Sequence, residues 1–157
     1  MKNKILIGIL LVSLVLMSAG CENIIGIPFD KMYDDFKDFI YGVNWNTIIN
    51  EDKVLSPNQI SDYPPLNYYG VSGNVNLRYE IIGSEKFDVI LFVNQTSLDL
   101  YKQGLNTTHY PSCDSFNIKT INKEDCKNIN SNFIFVIVNG DKDNELKVKI
   151  EYSPVTS

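Results

Sequence analysis

Between Asn74 and Ile81 polar and apolar residues alternate without a slip. Val75, Leu77, Tyr79 and Ile81 fall on one side, and Asn74, Asn76, Arg78 and Glu80 on the other. A period of two is the mark of a strand with one buried face. Glu145–Tyr152 repeats the pattern, with Leu146, Val148, Ile150 and Tyr152 set against Lys147, Lys149 and Glu151. Phe87–Val93 is apolar on both faces, which predicts a central strand, and Asn132–Val138 is another apolar run. Val43–Ile49, Tyr68–Ser72 and Phe116–Ile121 complete the set of predicted strands. Gly83–Lys86 and Gly140–Asn144 are expected to turn the chain. Ser56–Pro65, with Pro57, Pro64 and Pro65, reads as a connection. Leu98, Leu100 and Tyr101 can seat a short helical turn within Thr96–Gly104.

One stretch has a different period. Phe29, Met32, Tyr33, Phe36, Phe39 and Ile40 recur at helical spacing and predict an amphipathic helix over Asp30–Tyr41. Asp30 suits its N-cap, Asp34 and Asp35 suit the positive end of its dipole, and Gly42 can end it. The acidic opposite face disfavours a helix lying on a membrane, which would carry Lys and Arg. The stripe can pack on the domain or receive a partner. Short strands separated by turns favour antiparallel pairing over βα units. The expected architecture is mostly β: an antiparallel β-sandwich with one N-terminal amphipathic helix.

Lys2 and Lys4 precede a run, Ile5–Met17, interrupted only by Gly8 and Ser13; Ser18, Ala19, Gly20 and Cys21 follow. A charged start, a short apolar stretch and small residues form the layout of a secretory signal peptide. Ala19, Gly20 and Cys21 resemble the lipobox of prokaryotic lipoproteins, with Ser18 where that family usually has Leu. The resemblance implies a signal peptide over 1–20 and a lipid-bearing Cys21 at the mature N-terminus. Two other readings stay open: ordinary cleavage after Ala19 or Gly20, and an uncleaved anchor. The apolar stretch is shorter than the roughly 20 residues that cross a bilayer. Residues 21–29 form an apolar tether, and 30–157 the helix plus β domain.

The leader changes the meaning of the three cysteines. Lipidation removes Cys21 from the count and leaves Cys113 and Cys126 as a pair. An exported pair is usually oxidised, so a Cys113–Cys126 disulfide is expected, worth roughly 3 kcal/mol in the chain-entropy treatment. Loss of Lys2 and Lys4 makes the net charge of −5 more negative by two. Arg78 is the only arginine. Without a basic patch the surface is ill suited to nucleic acid. Attraction to anionic lipid is disfavoured as well, so membrane attachment would run through the lipid on Cys21.

Asn74–Gly104 (NVNLRYEIIGSEKFDVILFVNQTSLDLYKQG) and Phe133–Tyr152 (FIFVIVNGDKDNELKVKIEY) together resemble extracytoplasmic β-sandwich domains. They are similar to the Golgi-dynamics (GOLD) domains of cargo receptors and to the prepeptidase C-terminal domains of secreted bacterial and archaeal proteins. The shared plan is an alternating strand, an F-D-V strand, a helical turn and a hairpin turned at V-N-G or D-N. The likeness implies a binding or accessory module and brings no catalytic residues.

Catalytic and metal chemistry find little footing. Nucleophilic catalysis needs a base beside the nucleophile, and His109 is the only histidine. No serine stands at a recognisable spacing from it, and Gly70-Val71-Ser72-Gly73 lacks the nucleophile-elbow pattern. His109, Cys113 and Cys126 make three zinc ligands in search of a fourth. Asn139, Asp141, Asp143 and Glu145 sit at alternate positions like a calcium loop, but Asn144 and Ile150 occupy the places where an EF-hand has Gly and Glu. No paired carboxylates suit glycoside chemistry. No cofactor is expected. Asn94-Gln95-Thr96 and Asn106-Thr107-Thr108 are glycosylation sequons, which place their loops at the surface if used. The expectation is an extracytoplasmic, membrane-anchored lipoprotein of the cell envelope that binds a protein or glycan without catalysis. A small hydrolase and a structural envelope component are the rival readings.

Overall fold

The computed structural model describes residues 44–155. The leader, Cys21, the tether and the helix expected over Asp30–Tyr41 lie outside the described residues. Seven elements carry the fold. They are β1 (Asn46–Leu55), β2 (Ile60–Tyr63), β3 (Asn74–Phe92), α1 (Gln95–Lys102), β4 (Ser115–Asn130), β5 (Ile134–Asn139) and β6 (Asn144–Pro154). Two 3₁₀ turns, Leu66–Tyr69 and Pro111–Cys113, complete the path. The expected mostly-β, antiparallel class is what forms. The six strands make one sheet in the order β1-β6-β3-β5-β2, with β4 paired to β3, and this sheet curls into a half-barrel.

The long strand β3 makes the curl. Its first half, Val75–Gly83, pairs with β6, and its second half, Phe87–Phe92, pairs with β5. Gly83–Lys86, expected to be a turn, is instead the bend at which β3 changes neighbours. Alternation persists through the bend: Val75, Leu77, Tyr79, Ile81, Phe87, Val89 and Leu91 all enter one buried cluster. That phase is why the segment remains a strand, because a hairpin there would break the shared inner face. Gly83 is required at the bend. A Cβ on it would lie 2.9 Å from both Leu146 Cδ2 and Phe87 Cε1.

Inside the curl, Tyr79 and Phe135 meet edge to face at 4.9 Å between centroids. Each such fully buried side chain contributes roughly 1.5–3 kcal/mol relative to exposure. The β3–β5 half is also covered on its other face. Ile90, Phe92, Ile134 and Val136 form a second cluster with Leu98, and Tyr101 packs against it. Both come from α1. This double coverage explains the unbroken apolar runs in the sequence. Asn94 caps α1, its Oδ1 accepting from Ser97 N at 2.9 Å.

Other elements differ from expectation as well; the first strand runs Asn46–Leu55 rather than Val43–Ile49. Ile60–Tyr63 is a strand within the Pro-rich connection, paired with β5. Tyr68–Ser72 is not a strand; its first residues belong to the 3₁₀ turn that Gly70 closes at φ 80°. β4 runs well beyond Phe116–Ile121. It is mostly exposed and polar, so no apolar alternation announces it. Its register with β3 slips repeatedly. Asn117 and Asn128 take φ of 55° and 58°, a left-handed geometry that Asn tolerates better than most residues. Each has a β3 side chain holding its amide: Asp88 Oδ1 accepts from Asn117 N at 2.7 Å, and Asn76 Oδ1 from Asn128 N at 3.2 Å.

The two ends of the sheet order, β1 and β2, are consecutive in the chain. The corner between them is tied to the β5–β6 turn by Asn58 N donating to Gly140 O at 2.6 Å. Side chains join the two strands as well. Lys53 Nζ reaches Ser61 Oγ at 2.7 Å, and Tyr63 OH donates to Glu51 Oε1 at 2.9 Å. Burial, reinforced by Glu51, pushes the Tyr63 hydroxyl pKa well up. Burial works against the ionised Glu51, but hydrogen bonds from Tyr63 and Lys53 outweigh it and hold this carboxyl below its usual range.

Candidate functional site

The only histidine has an acid beside it. The loop after α1 returns along the end of β3, where Val93 N donates to Thr108 O at 3.3 Å and Tyr110 N to Leu91 O at 2.8 Å. This lays His109 against Phe92 as an isolated antiparallel bridge. The 3₁₀ turn Pro111–Cys113 then carries Asp114 beneath the ring. Asp114 Oδ2 is hydrogen-bonded to His109 Nδ1, and its Oδ1 accepts from Leu91 N at 2.9 Å. The Asp114 side chain is 1% exposed and that of His109 35%. An ionised Asp114 makes Nδ1 the donor and leaves Nε2 as the free ring nitrogen.

That arrangement is the base-and-orienter half of a nucleophilic site. Among the described residues the nucleophile half is not assembled. Among the described residues, Asp114 is the one side chain hydrogen-bonded to His109. Ser115 Oγ donates instead to Asp114 O at 2.8 Å, and Ser97 Oγ bonds the α1 cap. Ser112 Oγ lies 3.9 Å from Cys113 Sγ.

Cys113 and Cys126 come together in the core, both buried, but as two free thiols. The bridge expected from the sequence is not formed, although the two groups lie in one core cluster. The neighbouring Cys126 lowers the pKa of Cys113 against the opposing effect of burial. Cys113 and burial push Cys126 up, against the nearby charge of Lys123. The zinc reading is not supported by the geometry: the described residues contain no group of three or more His, Cys, Asp or Glu placed to hold a metal. His109 also has Nδ1 committed to Asp114.

The calcium-like turn proves to be a hydrogen-bonded hub. Asn139 is buried, and its Nδ2 donates to Leu55 O, Ser56 O and Lys142 O at 3.2, 2.8 and 2.7 Å. Its amide therefore faces backbone carbonyls rather than a cation shared with Asp141, Asp143 and Glu145. The sequon residues Asn94 and Asn106 are both exposed; Asn94 spends its Oδ1 on the α1 cap.

The outer face of β1, β6 and β3 carries a groove. Register places Asp52 opposite Lys147 and Val54 opposite Glu145, with Ile82 opposite Lys147 on the other side. Their side chains rim an open groove of about 510 Å³ whose floor is the backbone around Gly83 and Leu146. Val54 is 66% and Ile82 44% exposed. Farther along the same face, Arg78 stacks 4.4 Å from the Trp45 ring centroid and pairs through Nε with Glu151 Oε2 at 2.8 Å. Lys149 Nζ lies 3.1 Å from Glu151 Oε1. Among the described residues no helix is long and apolar enough to cross a membrane.

No family model matches the chain, and no curated protein matches it.

Sequence reasoning identified His109 and both thiols but not Asp114. An aspartate five residues downstream in an irregular loop has no periodic signal to mark it. The groove was missed for a related reason. Val54 and Ile82 are single apolar residues at outward positions of otherwise polar faces, and only the register between three strands brings them together.

Proposed function

We propose that this protein is an extracytoplasmic lipoprotein, held to the membrane through lipid on Cys21, whose β domain is a non-catalytic binding module for an envelope protein. The observation that carries the binding reading is the groove between Val54 and Ile82. Solvent-facing aliphatic residues inside a frame of both charge signs suit a polypeptide partner, which offers apolar side chains and ion pairs together. The groove's lining has no aromatic ring, whereas a glycan site would want rings to stack on sugars. Tyr68 and Tyr69 are exposed but meet edge to face in their own turn. The likeness to GOLD and prepeptidase C-terminal domains belongs to the same proposal. It draws support from the quoted segments forming the adjacent strands β6, β3 and β5 together with α1. The sandwich form and the packed N-terminal helix are its further parts.

Two measurements test this. Cys21→Ser should release the protein from membranes or block its processing; a variant that still fractionates with membranes at the processed size removes the lipid anchor. A photo-crosslinking residue at position 54 of the anchored protein, in native membranes, should give one discrete protein adduct that Ile82→Asp abolishes. The same residue at exposed position 119 should give none. An adduct indifferent to Ile82→Asp, or no adduct, overturns the groove as the binding surface.

The His109–Asp114 pair favours a second reading, a small extracytoplasmic hydrolase in which Nε2 of His109 acts as general base on a substrate hydroxyl or water. Its test is His109→Ala in the assay that reports function, with thermal unfolding as the folding control. Loss of function at unchanged stability would put this reading first.

A further inference from the structure

The two described sulfhydryls come from different elements and meet where neither can reach solvent. Cys113 closes the 3₁₀ turn at the loop's return, and Cys126 lies on β4 opposite Leu77. Both are 0% exposed. Tyr79 OH donates to Cys113 O at 2.6 Å, fixing the turn over the core. A buried cysteine alone is an ordinary small hydrophobe. Two from separate segments, buried in one core cluster and close enough to shift each other's ionisation, can act as a pair, since the turn that carries Cys113 is a separate element from the strand that carries Cys126.

We propose that Cys113 and Cys126 are a dithiol/disulfide couple, that the unbridged pair described above is its reduced half, and that oxidation closes a bridge between the Pro111–Cys113 turn and β4. Closure in the cell rests on the extracytoplasmic reading; the couple itself does not. The oxidant is a disulfide, either a dithiol oxidoreductase of the exported compartment or a low-molecular-weight disulfide. Cys113 attacks first, since its turn borders exposed Pro111 and Ser112 and opens more readily than the strand. Its thiolate bonds to one sulfur of the donor, and the other donor sulfur leaves and takes up the proton lost by Cys113. The Cys126 sulfur then displaces the second donor sulfur, which leaves with the Cys126 proton. Two protein thiols become one disulfide, and one donor disulfide becomes two thiols. The bridge would clamp the residue next to Asp114, and with it the carboxylate that holds both His109 and Leu91 N.

The experiment uses the full chain carrying Cys21→Ser, so that the third thiol takes no part. The purified protein is equilibrated in a series of reduced and oxidised glutathione mixtures, quenched in acid, alkylated and mapped by mass spectrometry. The expected result is a linked Cys113–Cys126 peptide that predominates even at a tenfold excess of reduced glutathione. The linked form should unfold on the order of 10 °C higher than the reduced form. Cys126→Ser and Cys126→Ala should each abolish that difference; two variants are used so that one failing to fold leaves the comparison standing. Two alkylatable thiols in fully oxidised glutathione, or only intermolecular links, overturn the couple. Alkylation of cells at harvest separates the two proposals. A linked peptide there supports both. Free thiols in cells with closure in glutathione overturn the extracytoplasmic reading and leave the couple.

Discussion

Asn144 Nδ2 donates to Asn139 Oδ1 across 3.1 Å in the interior of the protein. Neither amide has spare capacity. Asn144 Nδ2 also donates to Glu85 O at 3.0 Å, and Asn144 Oδ1 accepts from Glu85 N at 2.9 Å. Asn139 holds the end of β1 and the β5–β6 turn. Two side chains thereby join the corner after β1, the bend of β3 and the last hairpin. Hydrogen-bonded this fully, a buried polar pair is stable, whereas removing one member strands several partners. Asn144→Ala is expected to lower unfolding free energy by about 3 kcal/mol in urea titration. Asp141→Asn and Asp143→Asn, on the exposed side of the same turn, should change it by less than about 0.5 kcal/mol. Added calcium should leave the unfolding midpoint of the wild-type protein in place; a rise on calcium addition that Asp141→Asn removes would restore the turn as a cation site.

The bend of β3 depends on a missing side chain. A methyl group on Gly83 would meet Leu146 Cδ2 and Phe87 Cε1 at 2.9 Å and Asn144 Oδ1 at 3.0 Å. Leu146 and Phe87 are core residues with little room to retreat. Gly83→Ala should therefore destabilise by about 1–3 kcal/mol through overpacking, despite Ala being the better residue in an unstrained strand. A stability equal to or above wild type in chemical denaturation would show that the bend has slack.

Acid should weaken the outer face through Glu151. Burial alone would raise this carboxyl, but hydrogen bonds from Arg78 and Lys149, and their charges, hold it below the usual glutamate value of 4.5. A folded-state value below the unfolded one means the protonated form favours the unfolded chain. The contribution is complete above the unfolded value, near pH 4.5. It is lost as the pH falls from there through the lower folded value. Glu151→Gln should flatten the decline of stability below pH 4.5. Parallel wild-type and variant profiles between pH 6 and 3 would count against this assignment.

The antiparallel β class was legible because β3 and β6 alternate strictly, and the central place of Phe87–Val93 because its two faces are both covered. The bend was not legible: Gly83-Ser84-Glu85-Lys86 has the composition of a turn, and only the preserved phase of Phe87, Val89 and Leu91 distinguishes a bend from a hairpin. β2 was hidden by its length and its flanking prolines. Most of β4 was hidden because it is largely exposed and polar, and its few inward residues, Ile118, Ile121, Cys126 and Ile129, fall out of a period of two where the register slips. Of the candidate site, His109 was visible by its chemistry. Asp114 was not, since its role comes from a loop folding back onto Leu91, a contact without local signature.

Asp114 and His109 should separate cleanly when each is replaced. Asp114 serves two groups, and one of them, Leu91 N, is buried in the core strand. Asp114→Ala leaves that N–H without an acceptor, a loss of about 1–3 kcal/mol, together with the group that orients His109. His109→Ala removes a partly exposed ring and frees one carboxylate oxygen that water can reach once the ring is gone; its expected loss is under about 1 kcal/mol. If the domain works as a binding surface at the Val54–Ile82 groove, His109→Ala should retain the position-54 crosslink in full. Asp114→Ala should weaken that crosslink only as far as it unfolds the protein, which the fraction folded by circular dichroism at the assay temperature measures. Loss of function in both variants with the fraction folded near unity would move the chemistry of this protein from the groove to the histidine.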